Sequence, residues 1–431
     1  MANEKVKVGL IGCGTVGQGV LKIFEKNRKS IEQRAGTKIE VAGICDLKDV
    51  HGKYSVTTRN YKDFLNAPDI DIVIELVGGY EPARTIILDA LCAGKNVVTA
   101  NKAVLAKYWD EIFCAARRYN KLVYFEASVA GAIPVVQVIN EGLAANRIEK
   151  ISGILNGTTN YILSEMSRSG TSLKSALDLA RSAGFAEANP ALDISGMDTA
   201  HKLSILSSLA WSTWVKLKDI EVEGMADISE DDVYFAKKEF NSVIKLLGLA
   251  NLNNGKLELS VEPCLVSKND NFANVEREYN AVLIRADSAG DIMLYGKGAG
   301  QFPAASAVVS DIIFLARHVA NGTAGKIPFV YYDPSRTMPV LPNSQKFGSY
   351  YLRFNALDKP GVLSKIAGIL GKAGVSIASV YQKEPLPRFR KGVPILILTH
   401  GTEKGKLMGA IDEINKKSFI IEKTVKFKIE G

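Results

Sequence analysis

Three glycines constrain this fold more than any other feature. Gly12, Gly14 and Gly17 follow directly on the apolar run Val6–Ile11 and open a helical stretch, Gly17–Lys26. The spacing Gly12-Cys13-Gly14-Thr15-Val16-Gly17 is G-x-G-x-x-G. The first glycine permits a tight turn, the second lets the backbone approach a pyrophosphate, and the third lets the helix pack close to the strand. Amides at Thr15 and Val16 would then face the phosphate anion. Alone, such a motif is weak and can be an ordinary glycine turn. Its place between a strand and a helix, with Asp46 closing the next strand, makes dinucleotide binding the expectation.

The rest of residues 1–130 agrees. Short Val- and Ile-rich runs at Ile39–Cys45, Ile70–Leu76, Asn96–Thr99 and Leu122–Phe125 alternate with helical stretches such as Pro82–Ala93 and Asn101–Tyr119. Runs apolar throughout are the pattern of parallel strands buried on both faces, and the alternation predicts a doubly wound α/β sheet, a Rossmann-like domain. Residues 131–303 change character. Helices (Asn160–Arg168, Leu173–Ala183, Asp198–Ala210, Glu230–Leu247) precede strands (Leu257–Val266, Ala281–Asp287), which predicts an α+β domain. A further apolar helix in 304–325 is expected to return and complete the first domain. Residues 326–348 hold Pro328, Pro334, Pro339 and Pro342 and read as a linker. Residues 349–431 run strand (Tyr350–Asn355), helix (Val362–Ala373), strands (Ser376–Gln382, Val393–Thr399), helix (Lys404–Lys417) and strand (Ile420–Lys428), the βαββαβ order of a ferredoxin-like module.

Composition narrows the function classes. The 431 residues carry a formal charge of +8, which favours acidic ligands. The basic residues are scattered, without runs interleaved with aromatics or zinc-finger spacing, so no nucleic-acid partner is expected. No apolar run approaches the roughly 18 residues of a membrane span, and no leader precedes the first strand, so a cytoplasmic protein is expected. The five cysteines (Cys13, Cys45, Cys92, Cys114, Cys264) show no CxxC pair, and an odd count argues against a disulfide framework.

Asp46 can accept from a ribose 2′-hydroxyl and would repel a 2′-phosphate, which favours NAD over NADP. Lys48, Lys53 and Arg59 are the cations that could instead fold back on such a phosphate. Asp46 could also simply cap a turn. Two lysines stand out. Lys102 follows Thr99 where the fourth strand hands over to a helix, and a cation in a helix's first turn is disfavoured by the dipole; the plain alternative is a solvated helix start. Lys202 stands four residues after Asp198, on one helix face, with Glu187 and Asp193 just upstream. The plain alternative there is a surface ion pair.

Residues 184–203, Gly-Phe-Ala-Glu-Ala-Asn-Pro-Ala-Leu-Asp-Ile-Ser-Gly-Met-Asp-Thr-Ala-His-Lys-Leu, resemble the signature segment of homoserine dehydrogenases. Further matching pieces are Val97-Val-Thr-Ala-Asn-Lys102, Phe125-Glu-Ala-Ser-Val-Ala-Gly131 with Ile133-Pro134, Asn156-Gly-Thr-Thr-Asn-Tyr-Ile162, and Gly296-Lys-Gly-Ala-Gly300 leading to Pro303 and Asp311, all in the family's order. The resemblance implies interconversion of L-homoserine and L-aspartate 4-semialdehyde with NAD or NADP. It implies that Lys202 moves the proton, that Lys102 is a second active-site lysine, and that Glu187, Asp193 and Asp198 hold the substrate. It places Gly298, Ala299 and Gly300 near the nicotinamide, and Thr99 and Lys102 beside the cofactor. It implies a monovalent cation such as Na+ at Glu126, Val129, Gly131 and Ile133, largely on backbone carbonyls. It makes 131–303 a substrate and dimerisation domain. The chain departs from the family pattern in two places: Pro303-Ala304-Ala305-Ser306 lacks a hydroxyl usual there, and Cys45 replaces a residue often basic.

Asn355-Ala-Leu-Asp-Lys-Pro-Gly361-Val-Leu-Ser-Lys-Ile366, continued by Gly374-Val-Ser-Ile377, resembles the opening of ACT domains. That implies an amino-acid effector, with L-threonine the natural candidate, and pairing between subunits in a homodimer or homotetramer. A module used only for subunit contact is the alternative. Two other readings compete with the whole. An aspartate-semialdehyde dehydrogenase needs a nucleophilic cysteine, and a non-catalytic amino-acid sensor has no use for the lysines.

Overall fold

The computed structural model describes residues 5–49, 55–187, 189–382 and 392–430. In chain order the strands are β1 (Lys5–Ile11), β2 (Lys38–Cys45), β3 (Ile72–Glu75), β4 (Asn96–Thr99), β5 (Val123–Tyr124), β6 (Ile148–Ile154), β7 (Glu221–Val222), β8 (Ser242–Asn253), β9 (Lys256–Ser267), β10 (Tyr279–Ala286), β11 (Gly290–Lys297), β12 (Phe347–Gly348), β13 (Tyr350–Ala356), β14 (Ile377–Gln382), β15 (Val393–Thr399), β16 (Thr402–Glu403) and β17 (Ile420–Glu430). The helices are α1 (Thr15–Ala35), α2 (Lys62–Asn66), α3 (Ala83–Cys92), α4 (Lys102–Arg118), α5 (Val135–Gln137), α6 (Gly157–Ser169), α7 (Leu173–Ser182), α8 (Ala191–Ile194), α9 (Met197–Ala210), α10 (Glu230–Glu239), α11 (Gln301–Ala320), α12 (Val362–Lys372) and α13 (Lys404–Asn415). Two compact units result. One comprises residues 1–157, 198–220 and 278–338; the other comprises 158–197, 221–277 and 339–431.

The first unit holds an all-parallel sheet in the order β2-β1-β3-β4-β5. Its central strands Ile72-Val-Ile-Glu75 and Asn96-Val-Val-Thr99 are buried at every position, as uninterrupted apolar runs require. Chain order reverses between β1 and β3. In open α/β sheets, ligands bind at the carboxyl ends of strands beside such a switch point. Helix α11 comes from far along the chain and lies against α1. A side chain at Gly19 would stand 2.9 Å from Ala305 and Gln301, so a glycine there sets the close approach. By length and composition α11 passes as a membrane span, with a mean hydropathy of 1.3, which departs from the expectation of no such run. It is a core helix: it buries Asp311, which accepts from the Glu126 amide at 2.9 Å. The same unit carries an antiparallel group, β6-β10-β11.

Helix α9 is enclosed on all sides, with every residue from Asp198 to Leu209 buried. Its polar side chains therefore need internal partners. Ser204 donates to the Val215 carbonyl at 2.6 Å, and Ser208 to the Ser204 carbonyl at 2.7 Å.

The second unit carries a sheet in the order β8-β9-β17-β13-β15-β14. Its last four strands, with α12 and α13, form the expected ferredoxin-like module around Leu352, Phe354, Ile366, Leu370, Ile397, Leu407 and Ile411. One expectation is corrected here. Residues 242–247 are not the end of a helix. Helix α10 stops at Glu239, Asn241 takes a left-handed φ of 45°, and β8 begins, pairing with β9 along its whole length. Apolar residues at 243, 244, 246 and 247 suit either a buried helix or a strand buried on both faces. The outer edge of β17 pairs in parallel with β9 of its own chain through Lys428, Ile429 and Glu430. The proline-rich stretch is also tied down from Pro339 onward, where the Leu257 amide and carbonyl bond to Pro339 and Leu341.

Candidate active site

At the end of β1 each glycine meets a different demand. Gly12 has φ +90°, and a Cβ there would lie 2.7 Å from the Leu76 carbonyl group. A Cβ on Gly17 would lie 2.5 Å from the Gly12 oxygen, so this glycine lets α1 seat on the turn. Gly14 faces open space. No acidic residue occupies the first turn of α1 and no side chain caps it, which leaves its amides and dipole for an anion. Gly17→Ala is expected to lift the helix from the turn and weaken dinucleotide binding by about 10-fold or more, as overpacking of one to three kcal/mol implies. A fluorescence titration with NADH measures it.

Asp46 ends β2 and reaches across to this turn. Its Oδ2 accepts from the Cys13 amide at 2.7 Å and its Oδ1 from the Lys48 amide at 2.9 Å. It thus caps a turn and also fixes a carboxylate over the glycine loop. Arg59 donates to the Leu47 carbonyl and, at 2.6 Å, to Asp49, so its charge is partly matched. Lys53 lies outside the described residues. Thr99 is fully buried and its hydroxyl donates to Glu75 at 2.6 Å, which leaves its backbone as the part a cofactor could meet. Glu75 had no role in the sequence reading. Burial raises its carboxyl above the usual range, and it accepts from the Val77 amide at 2.7 Å, bracing the ends of β3 and β4. The only sequence signal was an acid closing an apolar run.

The reaction centre is a row of charges. Lys102 begins α4, whose first turn is capped by the Asn101 side chain on the Val104 amide. Its Nζ lies 2.7 Å from Oδ1 of Asp198. Lys202 Nζ lies 2.7 Å from Oδ2 of the same carboxylate and donates to the Leu155 carbonyl at 2.6 Å. Asn156 Nδ2 donates to that Oδ2 as well, at 2.7 Å. Asp198 and Lys202 are 5% and 8% exposed, so the surface-pair alternative fails. Lys102 keeps 42% of its side chain exposed yet is committed to Asp198, so it is no free helix start. Burial would push the Asp198 carboxyl up; the ammonium groups of Lys202 and Lys102 outweigh it and hold the group well below the usual carboxylate range. Two ammonium groups on one carboxylate set positive charge where an oxyanion can be met. Asn156 lay within a quoted sequence piece without a role, because its partner stands on a distant helix. Glu187 is exposed after α7 and Asp193 lies on α8, both in the second unit.

Residues 126–133 fold back on the segment that precedes α11. Ala130 and Gly131 both take positive φ, and a Cβ at Gly131 would stand 2.5 Å from the Gly298 backbone. The Ala132 amide donates to Lys297 at 3.1 Å. Val129 and Ile133 are buried, and Gly300, φ +119°, starts α11 before Pro303 and Ala304. The Glu126 carboxylate accepts from the amides of Val136 and Gln137 at 2.8 and 2.9 Å, and burial pushes it up to about 7. Among the described residues no three His, Cys, Asp or Glu side chains gather to hold a metal. The cysteines are all free. Burial raises the thiols of Cys13, Cys45, Cys114 and Cys264, the opposite of what a nucleophile needs.

Comparison with known proteins fits this geometry. Residues 12–126 match the profile "Homoserine dehydrogenase, NAD binding domain", residues 134–313 match "Homoserine dehydrogenase", and residues 350–416 match "ACT domain". The homoserine dehydrogenase of Neisseria gonorrhoeae is 39% identical over 95% of each chain. That of Pseudomonas aeruginosa is 39% identical over 99% of each. The crystal structure of a homoserine dehydrogenase from Thiobacillus denitrificans superposes with a TM-score of 0.94 at 39% identity, covering 100% of this chain and 99% of the other. A parallel nucleotide-binding sheet, a buried lysine–aspartate–lysine row and full-length likeness to these enzymes lead to one conclusion: this chain belongs to the homoserine dehydrogenase family and carries an ACT domain.

Proposed function

We propose that the protein interconverts L-homoserine and L-aspartate 4-semialdehyde, with Lys202 exchanging the proton on the reacting oxygen. The observation that carries this reading is the buried Lys202 ammonium, held by Asp198 and the Leu155 carbonyl and seconded by Lys102. Bound NAD or NADP supplies the chemistry of hydride exchange with the substrate carbon. In reduction, negative charge grows on the aldehyde oxygen and the Lys202 ammonium protonates it; in oxidation the amine takes the hydroxyl proton. Lys102 adds positive charge, and Asp198 keeps both ammonium groups in place. The loop at Gly298, Ala299 and Gly300 is assigned to the nicotinamide side, and the amides of Thr15, Val16 and Gly17 to the pyrophosphate.

Asp46 favours NAD over NADP, because a 2′-phosphate would meet a carboxylate fixed on the Cys13 amide. The ACT domain is assigned an amino-acid effector, L-threonine. A steady-state assay with homoserine tests the set: turnover with NAD exceeding that with NADP, and lowered by threonine. Absence of turnover with either dinucleotide would remove the reading. The enzyme is assigned to the cytoplasm and to a homodimer or homotetramer; β14, with exposed Val380 and Tyr381, is the sheet edge offered to a second subunit.

A monovalent cation is assigned to the backbone oxygens of Val129, Gly131 and Ile133 beside Glu126. The fit rests on two buried acids, Glu126 and Asp311, each raised by burial, with Glu126 also raising Asp311. Glu126 binds its proton more tightly folded than unfolded. Its contribution to stability is therefore full below the ordinary value near 4.5 and falls as pH rises to about 7, with a slope up to about 1.4 kcal/mol per pH unit. A cation there would favour the carboxylate and offset the loss. Unfolding midpoints at pH 8 are expected to be higher in NaCl than in choline chloride. Glu126→Gln is expected to remove both the salt difference and this part of the pH dependence. Equal midpoints in the two salts would exclude the cation.

A further inference from the structure

A cavity of about 510 Å³ opens at the end of α4 away from Lys102. That is the volume of a small-molecule site. Its lining residues all belong to the first unit. Helix α4 runs from Lys102 to Arg118, so at 1.5 Å per residue its ends stand about 24 Å apart. Ligands of a parallel sheet meet the carboxyl ends of its strands. This cavity instead meets Leu122 and Val123, where the chain enters β5. It is therefore separate from the dinucleotide turn and from the lysine–aspartate–lysine row.

Its walls are held in place. A Cβ on Gly325 would lie 1.9 Å from the Asn120 carbonyl oxygen, so the segment after α11 closes directly on the end of α4. Phe329 is buried and stacks on Tyr124, with ring centres 3.9 Å apart. The Tyr332 hydroxyl donates to Asp110 at 2.8 Å, and the Thr213 hydroxyl to the Arg336 carbonyl at 3.1 Å. Tyr331, also in the lining, keeps 65% of its surface exposed.

The lining brings together four cations, Arg117, Lys121, Lys326 and Arg336, with Asp333 as its one acid. Exposed arginines elsewhere take a carboxylate, as Arg28 takes Glu32, Arg147 takes Asp287 and Arg285 takes Asp291. Among the described residues none of these four cations forms an ion pair. Asp333 does not fill that role, because its Oδ1 accepts from the Ser335 amide and hydroxyl at 2.9 and 2.7 Å. Those bonds hold its carboxyl below the usual carboxylate range. The charges of Arg117 and Arg336 add to this, so both guanidinium groups lie toward one point.

Four cations around one acid favour an anion of more than one charge. A carboxylate carries one. A phosphate monoester near neutral pH carries close to two and offers three oxygens to guanidinium groups. The apolar walls and the uncovered Tyr331 ring favour a flat ring on the same molecule. We propose that this cavity binds a phosphate monoester of a ring compound, of the nucleoside monophosphate class. Arg117 and Arg336 hold the phosphate, and Tyr331 stacks on the ring.

The test is calorimetry on the full chain with saturating NADH, which keeps the dinucleotide site filled. The probe is adenosine 5′-monophosphate, with adenosine and inorganic phosphate as its two halves. The nucleotide is expected to bind at least about 10-fold more tightly than either half, because only it makes both contacts. Arg117→Gln combined with Arg336→Gln is expected to lower its affinity about 10- to 100-fold, and Tyr331→Ala about 10-fold. All three side chains are exposed, so the unfolding midpoint and homoserine turnover are expected to stay unchanged. Nucleotide affinity no higher than that of inorganic phosphate would leave only a charged surface and overturn the proposal. Affinity unmoved by the variants, or lost when NADH is present, would place the nucleotide elsewhere and overturn it as well. Failure of NADH itself to bind would count against the dehydrogenase reading alone, and the same variants would still decide this site.

Discussion

Lys202→Met keeps dinucleotide binding and loses turnover by on the order of 10²-fold or more, the usual worth of a positioned proton donor. Methionine fills similar space along enclosed α9, so the change removes the charge and leaves the packing close to intact. The Leu155 carbonyl loses its donor, at a cost of about 1–3 kcal/mol. Asp198 keeps Lys102 and Asn156. Losing its largest favourable charge, the Asp198 carboxyl rises toward the ordinary range. NADH titration and single-turnover rates separate the two effects. Near-normal turnover would take Lys202 out of the mechanism.

Arg353→Met lowers the stability of the full chain by about 3–5 kcal/mol, because it strands a buried acid. Arg353, on β13, donates to Oδ1 and Oδ2 of Asp232 at 2.6 and 3.1 Å, and Asp232 is fully buried at the start of α10. The same pattern recurs along the second unit: Lys346 and Lys404 on Glu221, Lys426 on Glu223, Lys428 on Glu258. In each pair the cation comes from residues 346–428 and the acid from residues 221–262. Cutting the chain after residue 345 would strip β17 from β9 and leave these acids without their partners. A truncated protein is expected to be poorly folded, so its response to threonine would say nothing about the ACT domain as sensor. Denaturant unfolding checks the single variant. The pair Arg353→Met with Asp232→Leu recovers much of the loss. A truncated chain with an unchanged unfolding midpoint would contradict this account.

Much of this was legible in the sequence because its signals are local. The glycine turn, the apolar strands, the i,i+4 spacing of Asp198 and Lys202 and the βαββαβ order each sit within a few dozen residues. What was missed depends on partners far along the chain. Nothing near Asn156 shows that it holds Asp198, and nothing near Ile420–Glu430 shows that β17 lies beside β9. Residues 242–247 were read as helix because their apolar positions fit both periods, and only pairing with β9 decides between them. Burial was equally invisible: the sequence allowed Asp198 and Lys202 a solvated face that an enclosed α9 does not have.

Chemical rescue of Lys202→Ala tests the central claim most directly. The alanine removes the ammonium and opens space for a small amine, and the rate of hydride transfer is followed in a single turnover as methylamine is added. The account predicts a slow reaction without amine and a saturable recovery with it, steeper for amines whose pKa suits the proton exchange. A rate close to that of the unaltered enzyme without any amine would contradict it.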